Sequence, residues 1–521
     1  MDWQLRRLKL ALALTCIFLP RTLADSHCTA NRTCWPSPGT WSAFNSSVDG
    51  QLIAPRPPGW VCHDPNYDEA ACNNVKASWN DSFWRADQPG SMMNIFRGSP
   101  ECNVDTPRNV TCEQGFVPVY SVDARNENHV SEAVKFAGEH DLRLVVKNTG
   151  HDFLGRSSAE GSFSIWTHHL KGIKFTNSFI GAGCSNSETT QSAVTVGAAE
   201  LWIDVYKAAN DHNATVVGGA AQSIGAAGGW VQGGGHSPMS GLYGLGVDNA
   251  LQFKVVKPNG QVVTANKCQN QDLFWALRGG GGKVFVQALP NITDQGLRGY
   301  GGWTWPNTFS MLWIQPNSPS LEFTNNTLRL VYDWVEANNG TQVELATSTH
   351  STFYDMFTTY IRAAPAEIQP FWFGTRLVSR NDLATKSKEF AKYIFGDGAS
   401  QIVSFSLVGG GAVSQADPES TGLNPQWRRD ALMSWQFITA WAVNASSEEI
   451  HRLQANVTKV VQEFGKVAGL EDAAYFNGAD PFEPEWKKSF FGSHYDRLLE
   501  IKQQIDPKGL FTCNRCVGPD Q

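Results

Sequence analysis

The sequence predicts an α+β protein of more than one domain, preceded by a disulfide-rich extension. Three observations carry this. At 521 residues the chain exceeds what one ordinary hydrophobic core organises. From residue 116 short apolar runs alternate with stretches of helical period, and from about 300 longer helices and strands mix with fewer glycines. Six cysteines (Cys28, Cys34, Cys62, Cys72, Cys102 and Cys112) crowd the stretch before that alternation begins. With 41% hydrophobic residues, among them 19 Trp and 29 Phe, the composition is that of a globular chain.

In chain order, the first element is "MDWQLRRLKLALALTCIFLPRTLADSHC". Arg6, Arg7 and Lys9 precede an apolar run from Leu10 to Leu19, and small Ala24 stands before Asp25. This is the pattern of a secretory signal cleaved after Ala24. A bilayer span needs roughly 20 apolar residues, and this run has about half that. Export agrees with ten Asn-x-Ser/Thr sequons, at Asn31, Asn45, Asn80, Asn109, Asn213, Asn291, Asn325, Asn339, Asn444 and Asn456. It agrees too with ten cysteines once Cys16 of the signal is set aside, an even number suited to an oxidising compartment. If the six early cysteines pair among themselves, fifteen connectivities are open. Cys513 and Cys516 form a CxxC with no second CxxC or paired histidine beyond it, so a disulfide is expected there. Residues 25–115, with "CWPSPGTW" and "APRPPGWVC", read as a loop-rich extension wrapped on something larger.

After residue 116, "HVSEAVKFAGEHD" places Val130, Ala133, Val134 and Phe136 at helical spacing, and "LRLVVKN" follows as a buried strand. "SFSIWTHH" and "AVTVGAAE" read as strands and "ELWIDVYKAANDHN" as a helix. Asn259-Gly260 marks a hairpin within "LQFKVVKPNGQVVTA". Farther on, "TLRLVYDWVEANN" and "EEIHRLQANVTKVVQEFGKVAG" are expected helices, "QIVSFSLVGGGAV" a strand, and a last helix stops at Asp506-Pro507. A net charge of −7 with no basic cluster longer than "RRLK" argues against a nucleic-acid partner. No later run is apolar enough for a membrane, and His168-His169 are expected to face opposite sides of a strand or loop, so no metal is expected there.

Three glycine clusters, at 149–157, 218–235 and 279–282, each lie beside an expected strand. Backbone N–H groups unobstructed by side chains suit a long phosphate-bearing cofactor. Neither a P-loop nor a GxGxxG opening a helix is present, so a Rossmann-type grip is not expected. Within the first cluster, "KNTGHDFLGRSS", His151 is either a structural hydrogen-bonder or a group aimed at a ligand.

These motifs, with "GGWVQGGGHSPMSGLYGLGVDN", "DLFWALRGGGG" and the closing "YFNGADPFEPEWKKSFFGSHYDRLLEIKQQIDPKGLF", resemble fungal secreted FAD-linked oxidoreductases of the vanillyl-alcohol-oxidase superfamily. The resemblance covers most of the chain and includes a berberine-bridge-enzyme-like C-terminal segment. It implies a two-subdomain FAD-binding PCMH-type domain at 116–300, completed by 471–517, with an α+β substrate domain at 301–470 and the Cys-rich extension at 25–115. It implies FAD held by Asn148, Thr149, Gly150, His151, Asp152, Gly155, Arg156 and Ser157, and by Gly219, Gly225, Gly228, Gly229, Gly234, Gly235 and His236. His151 is the implied covalent tether to the flavin 8α-methyl. Bicovalent relatives carry a second tether on a cysteine where this chain has Ala221 or Gln222, so one link is expected. Tyr475 and Asn477 match the family's Tyr-x-Asn and are the implied catalytic pair. A phenol of ordinary pKa near 10 needs a nearby cation or hydrogen bond to act as a base.

After "RGGGG" the chain runs "KVFVQALPNITDQGLRGYGGWTW" where relatives carry a Thr-Phe-Gly-Val-Val-like strand. The departure predicts strand packing over 283–310 that differs from that of the relatives. The implied activity is hydride abstraction from an activated C–H of a small organic substrate, at an alcohol, amine or allylic position. Dioxygen is the expected acceptor and secondary-metabolite biosynthesis the expected setting. The alternatives are a sugar or oligosaccharide oxidase and a non-catalytic secreted flavin-fold glycoprotein.

Overall fold

The computed structural model describes residues 27–94, 98–185, 190–278, 293–304, 308–329, 331–332, 346–361, 370–386, 389–390, 392–393, 402–429, 431–442, 444–470 and 472–518. The signal, the third glycine cluster, the sequons at Asn291 and Asn339, and 283–292 of the atypical stretch lie outside them.

The first sheet has β1 (Leu52–Ile53), β2 (Tyr120–Asp123), β3 (Leu144–Lys147) and β4 (Phe163–Trp166) in the order β1-β2-β4-β3. β2, β4 and β3 run parallel, and β1 joins the edge antiparallel. The helix Glu127–Glu139 begins where the Asn126 side chain accepts from the His129 amide, and it buries Ala133, Val134, Phe136 and Ala137. The extension is part of this core. Trp41 and Phe44, from the helix Pro38–Ser47, are buried with Val122, Leu144, Phe163 and Ile165, and the Phe44 ring stacks on Phe136 at 4.1 Å.

The early cysteines pair with their neighbours in sequence, Cys28–Cys34, Cys62–Cys72 and Cys102–Cys112, so each bridge closes a short local loop. Cys513–Cys516 is the expected disulfide. Two antiparallel hairpins follow, β5 (Ile173–Phe179) with β6 (Gln191–Val196) and β7 (Gln252–Val256) with β8 (Val262–Asn266). The second turns at Gly260, φ +77°, as the Asn-Gly pair predicts. Cys184–Cys268 ties the first hairpin's connection to the end of β8.

The second sheet is antiparallel throughout. It holds β9 (Arg298–Thr304), β10 (Thr308–Ile314), β11 (Phe371–Ser379), β12 (Ile402–Leu407) and β13 (Ala431–Ala440) in the order β10-β9-β12-β13-β11. The helix Ser447–Ala468 lies on it, capped by Ser446 and ended by Gly469 at φ +73°. Val457, Val461 and Phe464 from that helix are buried with Trp435, Phe437 and Phe390. A helix at Leu321–Thr327, capped by Ser320, precedes the one expected over "TLRLVYDWVEANN", within which Arg329, Val331 and Tyr332 are helical while 330 and 333–339 lie outside the described residues.

A third core joins the two halves. Trp202 and Tyr206, from the helix Trp202–Asp211, and Trp230, Val231, Leu245 and Val247 from the glycine-rich segment pack with Phe357, Leu377, Leu423, Trp427 and Ala473. That packing sets the second glycine cluster against the second sheet and the C-terminal segment. Because Trp41 touches four other aromatic rings of the first core besides Trp35, Trp41→Ala should cost about 3–5 kcal/mol of stability. Denaturant unfolding with the disulfides intact measures this; a loss below about 1 kcal/mol would make the extension a dispensable wrapper.

Candidate functional site

β3 ends at Lys147, and the loop leaving it turns at Gly150 (φ +88°) and Gly155 (φ +79°), backbone that favours glycine. A side chain at Gly150 would also meet the Ser91 carbonyl oxygen at 2.9 Å, because the extension lies directly on this loop. The Met93 amide donates to the Gly150 carbonyl, and Lys147 Nζ donates to the Gln88 carbonyl at 3.1 Å. Burial first, and then the Arg85 cation, push the Lys147 amine down to about 7.

His151 is half-buried, and its Nε2 shares a 2.9 Å hydrogen bond with Ser223 Oγ. Burial outweighs the Ser223 bond and, with Lys147 nearby, brings the imidazole down to about 4. At neutral pH His151 is therefore an uncharged nucleophile-type nitrogen base. Asp152 does not face a ligand freely. Its carboxylate takes the Arg156 amide and, at 2.7 Å, Arg156 Nε. Arg156 then reaches out of the loop: Nη2 donates to Asn477 Oδ1 at 3.1 Å, and the guanidinium lies 4.6 Å from the centre of the Phe476 ring. Thr149 and Ser157 are buried, and the Ser157 hydroxyl turns toward the Met92 sulfur.

The glycines divide by what surrounds them. Gly219 makes room for the Trp202 indole, Gly235 for Trp230 and Gly225 for the Asn148 amide, so the protein itself requires those three. Gly228 and Gly229 face open space, with nothing within 4 Å of an added Cβ. Gly228, Gly234 and Gly235 have φ of +82°, +103° and +72°. Asn148 donates to the Ala198 carbonyl at 2.7 Å while its Oδ1 is buried without a protein partner. An orphaned buried acceptor, an open glycine face and a loop whose one carboxylate is already neutralised fit a long phosphate-bearing cofactor.

The C-terminal Tyr475 and Asn477 arrive at the same place. Asn477 Nδ2 donates to the Gly229 carbonyl at 3.0 Å and to Tyr475 Oη at 3.4 Å. Burial raises the Tyr475 phenol above its ordinary value, and the Asn477 bond and Arg156 offset this only in part. The cation and hydrogen bond a basic tyrosine needs are both present, yet the phenol rests protonated. The His236 ring stands edge-on to Tyr475, centroids 5.2 Å apart, and its Nδ1 lies 3.1 Å from Tyr300 Oη. Sequence reasoning missed Ser223, Tyr300 and the Gln88–Met93 strap, since a lone serine, a lone tyrosine and a loop carry no motif. His168 and His169 go to separate carboxylates, Asp87 and Asp123.

The described FAD binding domain family matches residues 118–266, and the berberine and berberine-like family matches 474–518. An uncharacterized FAD-linked oxidoreductase of Arthroderma benhamiae is 37% identical, over 95% of this chain and 94% of its own. The crystal structure of the VAO-type flavoprotein MtVAO713 from Myceliophthora thermophila C1 aligns with a TM-score of 0.84 at 27% identity, covering 95% of this chain and 98% of that one. A chitooligosaccharide oxidase shares the fold, with a TM-score of 0.62 at 18% identity over 86% of this chain and all of its own.

The glycine faces make a direct prediction. Gly229→Ala adds a methyl to open space and should leave unfolding stability within about 0.5 kcal/mol while lowering FAD content. Gly233→Ala would drive a methyl into the Asn477 amide and should disturb the site even where FAD is retained. Spectrophotometric FAD content and thermal unfolding of both variants decide it; full flavin in Gly229→Ala would remove that face from the cofactor cradle.

Proposed function

We propose that this chain, which belongs to the fungal FAD-linked oxidoreductases of the VAO type, is a secreted oxidase that takes a hydride from an activated C–H of a small organic substrate. One observation carries the reading. Arg156 joins the loop bearing His151 to Asn477, and through Asn477 to Tyr475 and the open face of Gly229. Three distant segments thus converge on one surface.

Bound FAD would accept the hydride and pass two electrons onward, to dioxygen in our reading. The glycine turns would hold its phosphates, Asn148 Oδ1 would accept from one of its hydroxyl or N–H donors, and His151 would be its single covalent tether. An imidazole kept neutral by burial would be ready to form that bond, which would replace one hydrogen of the 8α-methyl and the imidazole N–H; both protons would leave to solvent, and the two electrons would pass through the flavin to dioxygen. Holding methyl and imidazole side by side makes the attachment effectively intramolecular. Tyr475 meets the substrate as a protonated phenol. To act as the general base it must lose that proton, with Arg156 and Asn477 stabilising the phenolate and burial opposing them.

Among the described residues, five disulfides support an oxidising compartment. The sequon asparagines Asn31, Asn80, Asn109, Asn213, Asn444 and Asn456 are exposed, as glycan acceptors must be. No helix among the described residues is long and apolar enough to cross a membrane. Against the sugar-oxidase alternative, the chitooligosaccharide oxidase shares only the fold. Against the non-catalytic alternative stands the assembled network, to which the unusual 283–310 stretch contributes Tyr300.

Two outcomes test the reading. Acid-precipitated protein should stay yellow, with the FAD mass on a peptide containing His151, and His151→Ala should release its flavin. Flavin that washes out of the wild type, or an adduct elsewhere, would end the tether proposal. If Tyr475 is the base, its raised pKa puts the active form on the alkaline side, so flavin reduction should still climb as pH passes the ordinary tyrosine range. Tyr475→Phe should slow reduction roughly 10²-fold and abolish the climb. A flat wild-type profile, or an unimpaired Phe variant, would return Tyr475 to a packing role.

A further inference from the structure

Tyr300 lies in the stretch whose sequence departs most from the family pattern, yet β9 delivers it to the site. The strand is held in place by its first residue: the buried Arg298 donates to the Thr293 and Leu297 carbonyls and packs where Gly241 leaves room for its guanidinium. Two residues on, the half-buried Tyr300 phenol meets His236 Nδ1 at 3.1 Å, with ring centroids 5.7 Å apart. The Tyr475 ring stands edge-on to the same imidazole, centroids 5.2 Å apart.

We propose that Tyr300 is a positioning residue that donates its phenolic hydrogen to His236 Nδ1 and so fixes the imidazole proton on Nε2. The direction of the bond follows from the partners. A phenol is a stronger donor than a neutral imidazole N–H, and an imine nitrogen is a stronger acceptor than a phenol oxygen. Burial raises the Tyr300 phenol well above its ordinary value, so it has a hydrogen to give at any working pH. With Nδ1 occupied as an acceptor, neutral His236 carries its hydrogen on Nε2. His236 then serves the site as a hydrogen-bond donor, and proton acceptance is left to Tyr475. The site's role is taken from the oxidoreductase reading above, whereas the tautomer is a property of the protein that stands without it.

The test uses holoenzyme labelled with ¹⁵N-histidine, with the His236 signals assigned by their loss in His236→Gln. The wild type should show a pyrrole-type nitrogen at Nε2 and a hydrogen-bonded imine at Nδ1, and in Tyr300→Phe the Nδ1 resonance should shift to that of an unbonded imine. A hydrogen on Nδ1 in the wild type, or an unmoved resonance in Tyr300→Phe, overturns the proposal. The wild-type spectrum decides the tautomer even if the Phe variant folds poorly. A double-mutant cycle adds a kinetic readout: Tyr300→Phe should slow flavin reduction about tenfold in the wild type and not at all further in His236→Gln. Equal loss in both backgrounds means that Tyr300 acts some other way and overturns the positioning role. Failure of the oxidase reading would show instead as a flavin no substrate reduces, with the nitrogen spectra unaffected.

Discussion

Arg156 is the contact on which the site depends. Its guanidinium neutralises Asp152 inside its own loop, lies on Phe476 and donates to Asn477, so one side chain couples the strand-end loop to the C-terminal segment. The pair is mostly shielded from water, with side chains 17% and 13% exposed. At such burial a charge is tolerable only while its partner is present. The bridge therefore constrains both segments at once: Asn477 is held against Gly229, and Tyr475 is placed by the same amide.

Burial is the other organising force, and it pushes the imidazole, the amine and the phenols around the site the same way, toward neutrality. It lowers His151 and Lys147, and it raises Tyr475, Tyr300 and Tyr206. Contacts such as Ser223 on His151 and Asn477 on Tyr475 oppose it, and at Tyr300 the neighbouring Tyr475 adds to it, but removal from water is the larger effect throughout. The result suits a redox centre in which a neutral imidazole and protonated phenols surround a polyanionic cofactor while the Arg156–Asp152 pair keeps its charge.

The extension and the unusual 283–310 stretch both turn out to be part of the architecture around this site. β1 joins the first sheet, Trp41 and Phe44 fill its core, and the Gln88–Met93 strap lies on the His151 loop at a glycine that could be nothing larger. Within 283–310, the described residues 298–304 form a regular central strand paired on both sides. A sequence that departs from its family's pattern there still makes the backbone ladder, because pairing uses main-chain groups that any residue supplies.

What the sequence determined by itself was local. The helix at 127–139, the strand before Asn148, the Asn-Gly hairpin and the long amphipathic helix at 447–468 all follow from periodicity, caps and turn residues within a few positions of one another. His151, Arg156, Tyr475 and Asn477 were legible because they sit in motifs. What only the tertiary structure decided was which of those residues meet and in what protonation state. Arg156 and Asn477 are 321 positions apart, and no spacing rule links them. The pairing of the early cysteines, the partnership of His151 with Ser223 and that of His236 with Tyr300 were equally unreadable. The protonation of Tyr475 was hidden for the same reason: it depends on how much water the packed neighbours exclude, a property of the assembled chain and of no segment within it.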